Sequence, residues 1–153
     1  MTRLLGPARV LRGLRFYPPY LGAGIRVTRV SETLDVLEVE MPLRAWNRNY
    51  VGTQFGGSLY SMCDPFFMLL AMMRLGPGYV VWDKSASIDF LKPGRSRVRA
   101  RFELTEETLE AIRAGVEREG KVNPTFEVTI RDDQGTPVAR VKKVLSIRKK
   151  AKS

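Results

Sequence analysis

The chain has 153 residues, 44% hydrophobic and 27% charged, the size and balance of one globular domain, which excludes whole-chain disorder. It has no histidine and one cysteine, so Ser-His-Asp and Cys-His catalysis, histidine-bound zinc, a cysteine metal cluster and an intrachain disulfide are all excluded. The net charge of +10 suits a polyanionic partner: nucleic acid, an anionic membrane surface or a ligand with several phosphates.

The basic excess gathers at the two ends. Residues 1–31 hold Arg3, Arg9, Arg12, Arg15, Arg26 and Arg29 without one acid, and residues 148–153 form a tail with Arg148, Lys149, Lys150 and Lys152. Within a single domain spanning 1–153, residues 1–18 are expected to carry a basic amphipathic helix with Leu4, Ala8 and Leu11 on one side. Pro18-Pro19 is expected to end it. A secretory signal is not expected, because Gly and Arg separate Leu4-Leu5 from Val10-Leu11, although the composition is also that of a transit peptide. A lone cysteine and no such signal predict a reducing, cytoplasmic setting.

Two strand-like stretches follow, Ala23–Val30 and Thr33–Met41, joined at Ser31-Glu32. A polar loop with Asn47, Asn49, Thr53 and Gln54 leads to Gly56-Gly57. Residues 57–74 then read GSLYSMCDPFFMLLAMMR, a helix stopped by Gly76-Pro77-Gly78 and apolar around most of its circumference. Such a helix must be buried on most sides. Met62, Cys63, Phe66, Phe67, Leu70 and Met73 are its core positions, and the run is too interrupted for a membrane span. Its one carboxylate, Asp64, is costly there unless paired, solvated in a cleft or put to use. Pro65 predicts a kink beside it that frees the carbonyl of Ser61.

The second half is mostly sheet. Tyr79–Leu91 reads as a long strand closed by Lys92-Pro93-Gly94, with a structural Asp83–Lys84 arrangement near its start. Arg97–Leu104 alternates cleanly, Val98, Ala100, Phe102 and Leu104 pointing inward. Thr105 is the expected N-cap of a short helix near 105–118. Thr125–Arg131 and Pro137–Ile147 form a hairpin around Asp133-Gln134-Gly135. One long buried helix with about six strands makes an α+β fold, an antiparallel sheet wrapped around the helix.

The segments Asn49–Asp64, NYVGTQFGGSLYSMCD, and Ser85–Gly94, SASIDFLKPG, together resemble the hotdog-fold acyl-CoA thioesterases. The likeness is closest to the phenylacetyl-CoA thioesterase-like class, and within it to a subfamily known only as a domain of unknown function. Asn49, Gly56, Gly57, Asp64 and the Phe90–Pro93 turn fall at the spacings of that class, and the resemblance spans residues 20–147. It implies a hotdog fold and a thioester hydrolase acting on an acyl-CoA or another acyl thioester. Coenzyme A would be part of the substrate, with no separate cofactor and no metal.

In such a hydrolase, backbone N–H groups of Gly56 and Gly57 would receive the developing oxyanion, and Asp64 would act as base or nucleophile. By the same resemblance Asn49, Phe55, Ser61, Asp83 and Lys84 would lie around the substrate, with Lys92 and Arg95 near the phosphates of coenzyme A. Gly56 and Asp64 are eight residues apart, about 12 Å along a helix, too far for one chain to bring both to one carbonyl. Two antiparallel copies would solve this, so a homodimer with two equivalent sites is expected, with a dimer of dimers as the next level. Phe55 stands where the class usually has histidine, and this departure makes a non-catalytic acyl-CoA-binding or sensor protein the second expectation. No nucleic-acid motif is present, so nucleic acid is not an expected partner.

Overall fold

The computed structural model describes residues 6–151. Arg3 and Leu4 of the expected N-terminal helix, and Lys152 of the tail, lie outside the described residues. Seven antiparallel strands form the sheet: β1 (Arg26–Val30), β2 (Val36–Met41), β3 (Tyr79–Phe90), β4 (Val98–Glu103), β5 (Lys121–Val122), β6 (Thr125–Asp132) and β7 (Pro137–Lys149). Their order is β1-β2-β4-β6-β7-β3, with the two-residue β5 added on β7.

Alternation does the sorting. Leu37, Val39 and Met41 of β2 and Val98, Ala100 and Phe102 of β4 are buried. On the opposite face, Glu38 pairs with Arg101 at 2.8 Å and Glu40 with Arg26 at 2.8 Å. The ladder between β4 and β6 is short, only Val98–Asp132 and Arg99–Arg131, whereas β3 and β7 pair along eleven positions from Tyr79–Lys149 to Phe90–Ala139. From inside, the region between β4 and β6 is filled by aromatic rings: Phe67 stacks on Phe126 with centroids 4.8 Å apart and meets Phe102 edge-on at 5.2 Å.

The N-terminus departs from expectation. Helix α1 covers Pro7–Gly13, a 3-10 turn follows at Leu14–Phe16, and a second helix, α2, runs Pro18–Ala23. Pro18 and Pro19 therefore begin a helix instead of ending one. A proline in the first helical turn removes only an N–H that has no intrahelical acceptor there, and its fixed φ suits the entry. Gly24, at φ 77°, closes α2.

The central helix is in two pieces, α3 (Gly56–Ser61) and α4 (Phe66–Leu75), separated by a turn at 62–65. The expected kink is a break. Pro65 has no amide to offer Ser61, and the carbonyl of Ser61 instead accepts the hydroxyl of Tyr20 at 2.8 Å. Met62, Cys63, Phe66, Phe67 and Leu70 are core, as their spacing requires, and Met73 packs against that core partly buried.

Helix α5 (Glu106–Glu119) has the predicted cap: Thr105 Oγ1 accepts the amide of Thr108 at 3.2 Å, and Gly120 ends the helix at φ 80°. Replacing Thr105 by alanine is expected to cost about 1 kcal/mol, read as a lower urea midpoint at unchanged slope.

Candidate functional site

Asp64 sits in the turn between α3 and α4, and the break changes its surroundings. Its side chain is 48% exposed, so the carboxylate in this apolar run is both paired and open to solvent. It faces a cavity of about 300 Å³ whose walls include Leu14, Tyr17, Tyr20, Tyr60 and Ser61. Two donors converge on one carboxylate oxygen. Tyr60, one turn earlier on α3, donates its hydroxyl to Asp64 Oδ1 at 2.7 Å, and Lys143 Nζ donates to the same atom at 3.0 Å.

Lys143 is the residue that sequence reasoning missed. It is 1% exposed, reaching up from β7 beneath the helix break. Its ammonium also pairs with Asp83 Oδ1 at 3.0 Å and with the Tyr60 hydroxyl at 3.2 Å, so three donors meet three acceptors. Burial by itself pulls the Lys143 ammonium toward a lower pKa, but its hydrogen bonds to Asp83, Asp64 and Tyr60 outweigh this and hold the pKa above the ordinary lysine value. Burial, then the bond to Asp64, pushes the Tyr60 phenol up. Burial also raises Tyr20 and the Cys63 thiol, so Cys63 is an inert core residue.

The signal for Lys143 was in the strand period. Ala139, Val141, Leu145 and Ile147 are the buried positions of β7, and Lys143 falls in phase with them. A charge at an inward position of a half-buried strand needs a partner below it. Tyr60 had the plainer signal, four residues before Asp64 on one helix face.

The expected Asp83–Lys84 arrangement is corrected by the register. Asp83 lies opposite Leu145 and Ser85 opposite Val144, so Lys84 is the extra residue of a β-bulge. Asp83 shares the inward face with Leu145, within diagonal reach of Lys143. Lys84 is exposed and makes no ion pair among the described residues.

Gly56 and Gly57 open α3 after an extended Phe55. Gly56 lines a second cavity, about 410 Å³, with Asn49, Gln54, Phe90 and Lys92. Asp64 is not among its walls. The two halves of the expected machinery thus face different cavities of one chain. A side chain at Gly56 would press on the Phe90 ring at 3.1 Å, and one at Gly57 would strike the Phe55 ring at 2.7 Å. Phe55, 55% exposed, therefore lies over Gly57.

Asn49 spends its amide on the loop. Its Nδ2 donates to Thr53 Oγ1 at 2.9 Å and its Oδ1 accepts the Thr53 amide at 2.9 Å. Gln54, buried below it, donates to the carbonyls of Met41 and Ser96. Ser61 donates to the carbonyl of Gly57 at 2.9 Å and borders the Asp64 cavity. Lys92 is at the Gly56 cavity, and Arg95 is exposed beyond it. The structure thus groups Asp64 and Ser61 at one cavity, with Asp83 joined to Asp64 through Lys143. It groups Gly56, Asn49 and Lys92 at the other.

A larger concavity, about 740 Å³, lies elsewhere, on the outer face of the sheet between β2, β4 and β6. Its arginines are already engaged, Arg101 by Glu38, Arg99 by Asp133 and Arg131 by the carbonyl of Gly135. Among the described residues no cluster of metal-ligating side chains occurs, and no helix is long and apolar enough to cross a membrane.

β3 is an outer strand of the sheet, twelve residues long, with Trp82 65% and Phe90 60% exposed. A long edge of unpaired backbone carrying aromatic side chains is a surface that ordinarily pairs or is covered.

The architecture matches solved structures over nearly all of its length. The Pseudomonas aeruginosa protein PA5026, named a probable thioesterase, aligns with a TM-score of 0.83 at 20% identity, covering 94% of this chain and 97% of its own. The Haemophilus influenzae thioesterase HI1161 aligns at 0.66 and 20%, covering 91% and 88%. The Escherichia coli PaaI protein of the phenylacetic acid degradation operon aligns at 0.63 and 18%, covering 96% of each chain. These likenesses establish the hotdog fold. No curated protein matches the sequence. Residues 6–147 match the family described as a domain of unknown function, DUF4442, and the chain belongs to that family.

Proposed function

We propose that the protein is an acyl-CoA thioesterase whose sites are shared between two chains. The observation that carries this reading is the half-exposed Asp64 carboxylate, set in a break of the central helix and open to a cavity. In the reaction, Asp64 takes a proton from water as the water oxygen bonds to the thioester carbon. Backbone N–H groups of Gly56 and Gly57 hold the oxyanion, and the C–S bond then breaks as the leaving sulfur takes the proton from Asp64, releasing a thiol and an acid. Asp64 as direct nucleophile is the alternative within the same site.

The separation of Gly56 and Asp64 into different cavities supports a homodimer in which each site takes its glycines from one chain and its carboxylate from the other. The free edge of β3 is the surface on which a second copy would pair, and dimers would pair again into a tetramer. Lys92 at the glycine cavity, with Arg95 beyond it, is placed to meet the phosphates of coenzyme A. Asn49 shapes the glycine loop and does not itself reach for substrate.

A panel of acyl-CoA esters tests this reading by thiol release from wild type and Asp64→Asn. Loss of the carboxylate base is expected to lower kcat about 10²–10⁴-fold; equal release by both proteins sinks it. One observation favours a second reading, a non-catalytic acyl-CoA sensor: the Phe55 ring, standing where the class usually has histidine, packs against Gly57, 2.7 Å from where a Cβ would stand. Tight acyl-CoA binding without turnover would select it.

A further inference from the structure

We propose that Lys143 is the positioning residue of this site: its ammonium clamps Oδ1 of Asp64 so that Oδ2 is turned toward the reacting water. The proposal rests on the hydrolase reading and adds the groups that give the carboxylate its direction. Tyr60 and Lys143 both bond Oδ1, at 2.7 and 3.0 Å. No donor from the described residues bonds Oδ2. A carboxylate in a helix break would otherwise rotate freely, and two converging donors choose one orientation. The arrangement has the logic of a base held by a neighbour on one side while it works on the other.

Stability alone does not account for the lysine. Desolvating an ammonium is costly, and an apolar side chain in phase with Val141 and Leu145 would serve the strand at least as well. What a lysine adds is reach: from β7 it touches α3 through Tyr60, the helix break through Asp64, and β3 through Asp83.

The charge count matters for the chemistry. Two carboxylates share one ammonium, so the cluster keeps one net negative charge and Lys143 does not quench Asp64. Asp83 is the counterweight that divides the ammonium's field. The other titratable groups about Asp64 are Tyr17, Tyr20 and Tyr60 at its cavity and Cys63 next to it in the chain; the pKa values of Tyr20, Tyr60 and Cys63 are raised, chiefly by burial, so these three stay neutral at ordinary pH.

Two variants then pull in opposite directions. Lys143→Met is expected to lower kcat about a hundredfold, the scale of a misplaced reactive group, with KM little changed, and to move the acid limb of the pH–rate profile upward. Asp83→Asn gives Lys143 wholly to Asp64 and moves that limb downward. A lysine with only a structural role would reduce activity in step with the folded fraction and leave both limbs in place, and that result overturns the proposal.

A carboxyl ¹³C titration of wild type, Lys143→Met and Asp83→Asn separates this from failure of the hydrolase reading. If wild type cleaves no acyl-CoA but the aspartate midpoints move in these opposite senses, the clamp stands and the hydrolase falls. Midpoints indifferent to both substitutions remove the clamp itself. Should Lys143→Met fail to fold, judged by circular dichroism, Asp83→Asn and Tyr60→Phe carry the test. Tyr60→Phe, which deletes the second donor to Oδ1, is expected to shift the limb upward by less than Lys143→Met.

Discussion

An equal mixture of Asp64→Ala and Gly56→Pro chains, unfolded and refolded together, is expected to recover about a quarter of the wild-type rate, although each variant alone is nearly inactive. Half of the dimers in such a mixture are mixed, and in each mixed dimer one site collects both defects while the other has none. Gly56→Pro is suited to the test because it deletes the amide donor without unmaking the helix. Gly56 is the first residue of α3, where proline is favoured, and Phe55 before it is already extended at φ −69° and ψ 128°. The added ring meets Phe90, which is largely exposed and free to yield. Removing one oxyanion donor costs about 10²–10³ in kcat. A mixture no more active than the average of its parts would mean that glycines and carboxylate act from the same chain, or not at all.

The second large effect concerns the core. Phe102→Ala is expected to destabilise the fold by about 3–5 kcal/mol, seen as a lower denaturant midpoint. Phe102 is fully buried and touches both aromatic residues that begin α4, with ring centroids 5.1 Å from Phe66 and 5.2 Å from Phe67. The two rings cannot collapse into the void without giving up their other contacts, Phe66 with Tyr20 and Phe67 with Phe126. The position also lies on β4 where its ladder to β6 has ended, so packing there does work that hydrogen bonds do not. A loss below about 1 kcal/mol would show that the site closes over the gap.

What could be read in advance was what periodicity and local chemistry control. The inward set of β4, the Thr105 cap, the core stripe of the central helix and the hairpin before Pro137 each depend on a few neighbouring residues, and each is found. Pro18-Pro19 misled because proline stops a helix from inside but starts one from its first turn. Only the chain before it decides which. The break at 62–65 was half legible: Pro65 announced a defect, but its depth depended on Tyr20, forty-one residues upstream, taking the freed carbonyl.

The site divides the same way. Asp64 stood out because it was the single acid in an apolar run. Lys143 did not, since a lysine beside Lys142 in a basic chain looks like solvent-facing charge until the strand's phase is counted. The sequence points Asp83 to its neighbour Lys84 and not to Lys143, because a one-residue bulge at Lys84 decides which face each neighbour takes, and a bulge is a property of two strands.

The two-pair ladder between β4 and β6 has a mechanical consequence. The sheet behaves as two ribbons, β1-β2-β4 and β6-β7-β3, each laced along its length and riveted to the other at one end. Sub-global opening starts where the rivets are fewest, between those ribbons. Asp83 and Lys143 both belong to the second ribbon, on strands joined by eleven pairs. The clamp on Asp64 is therefore anchored in the stiffer half, so breathing of the sheet swings the first ribbon and leaves the carboxylate's anchor at rest.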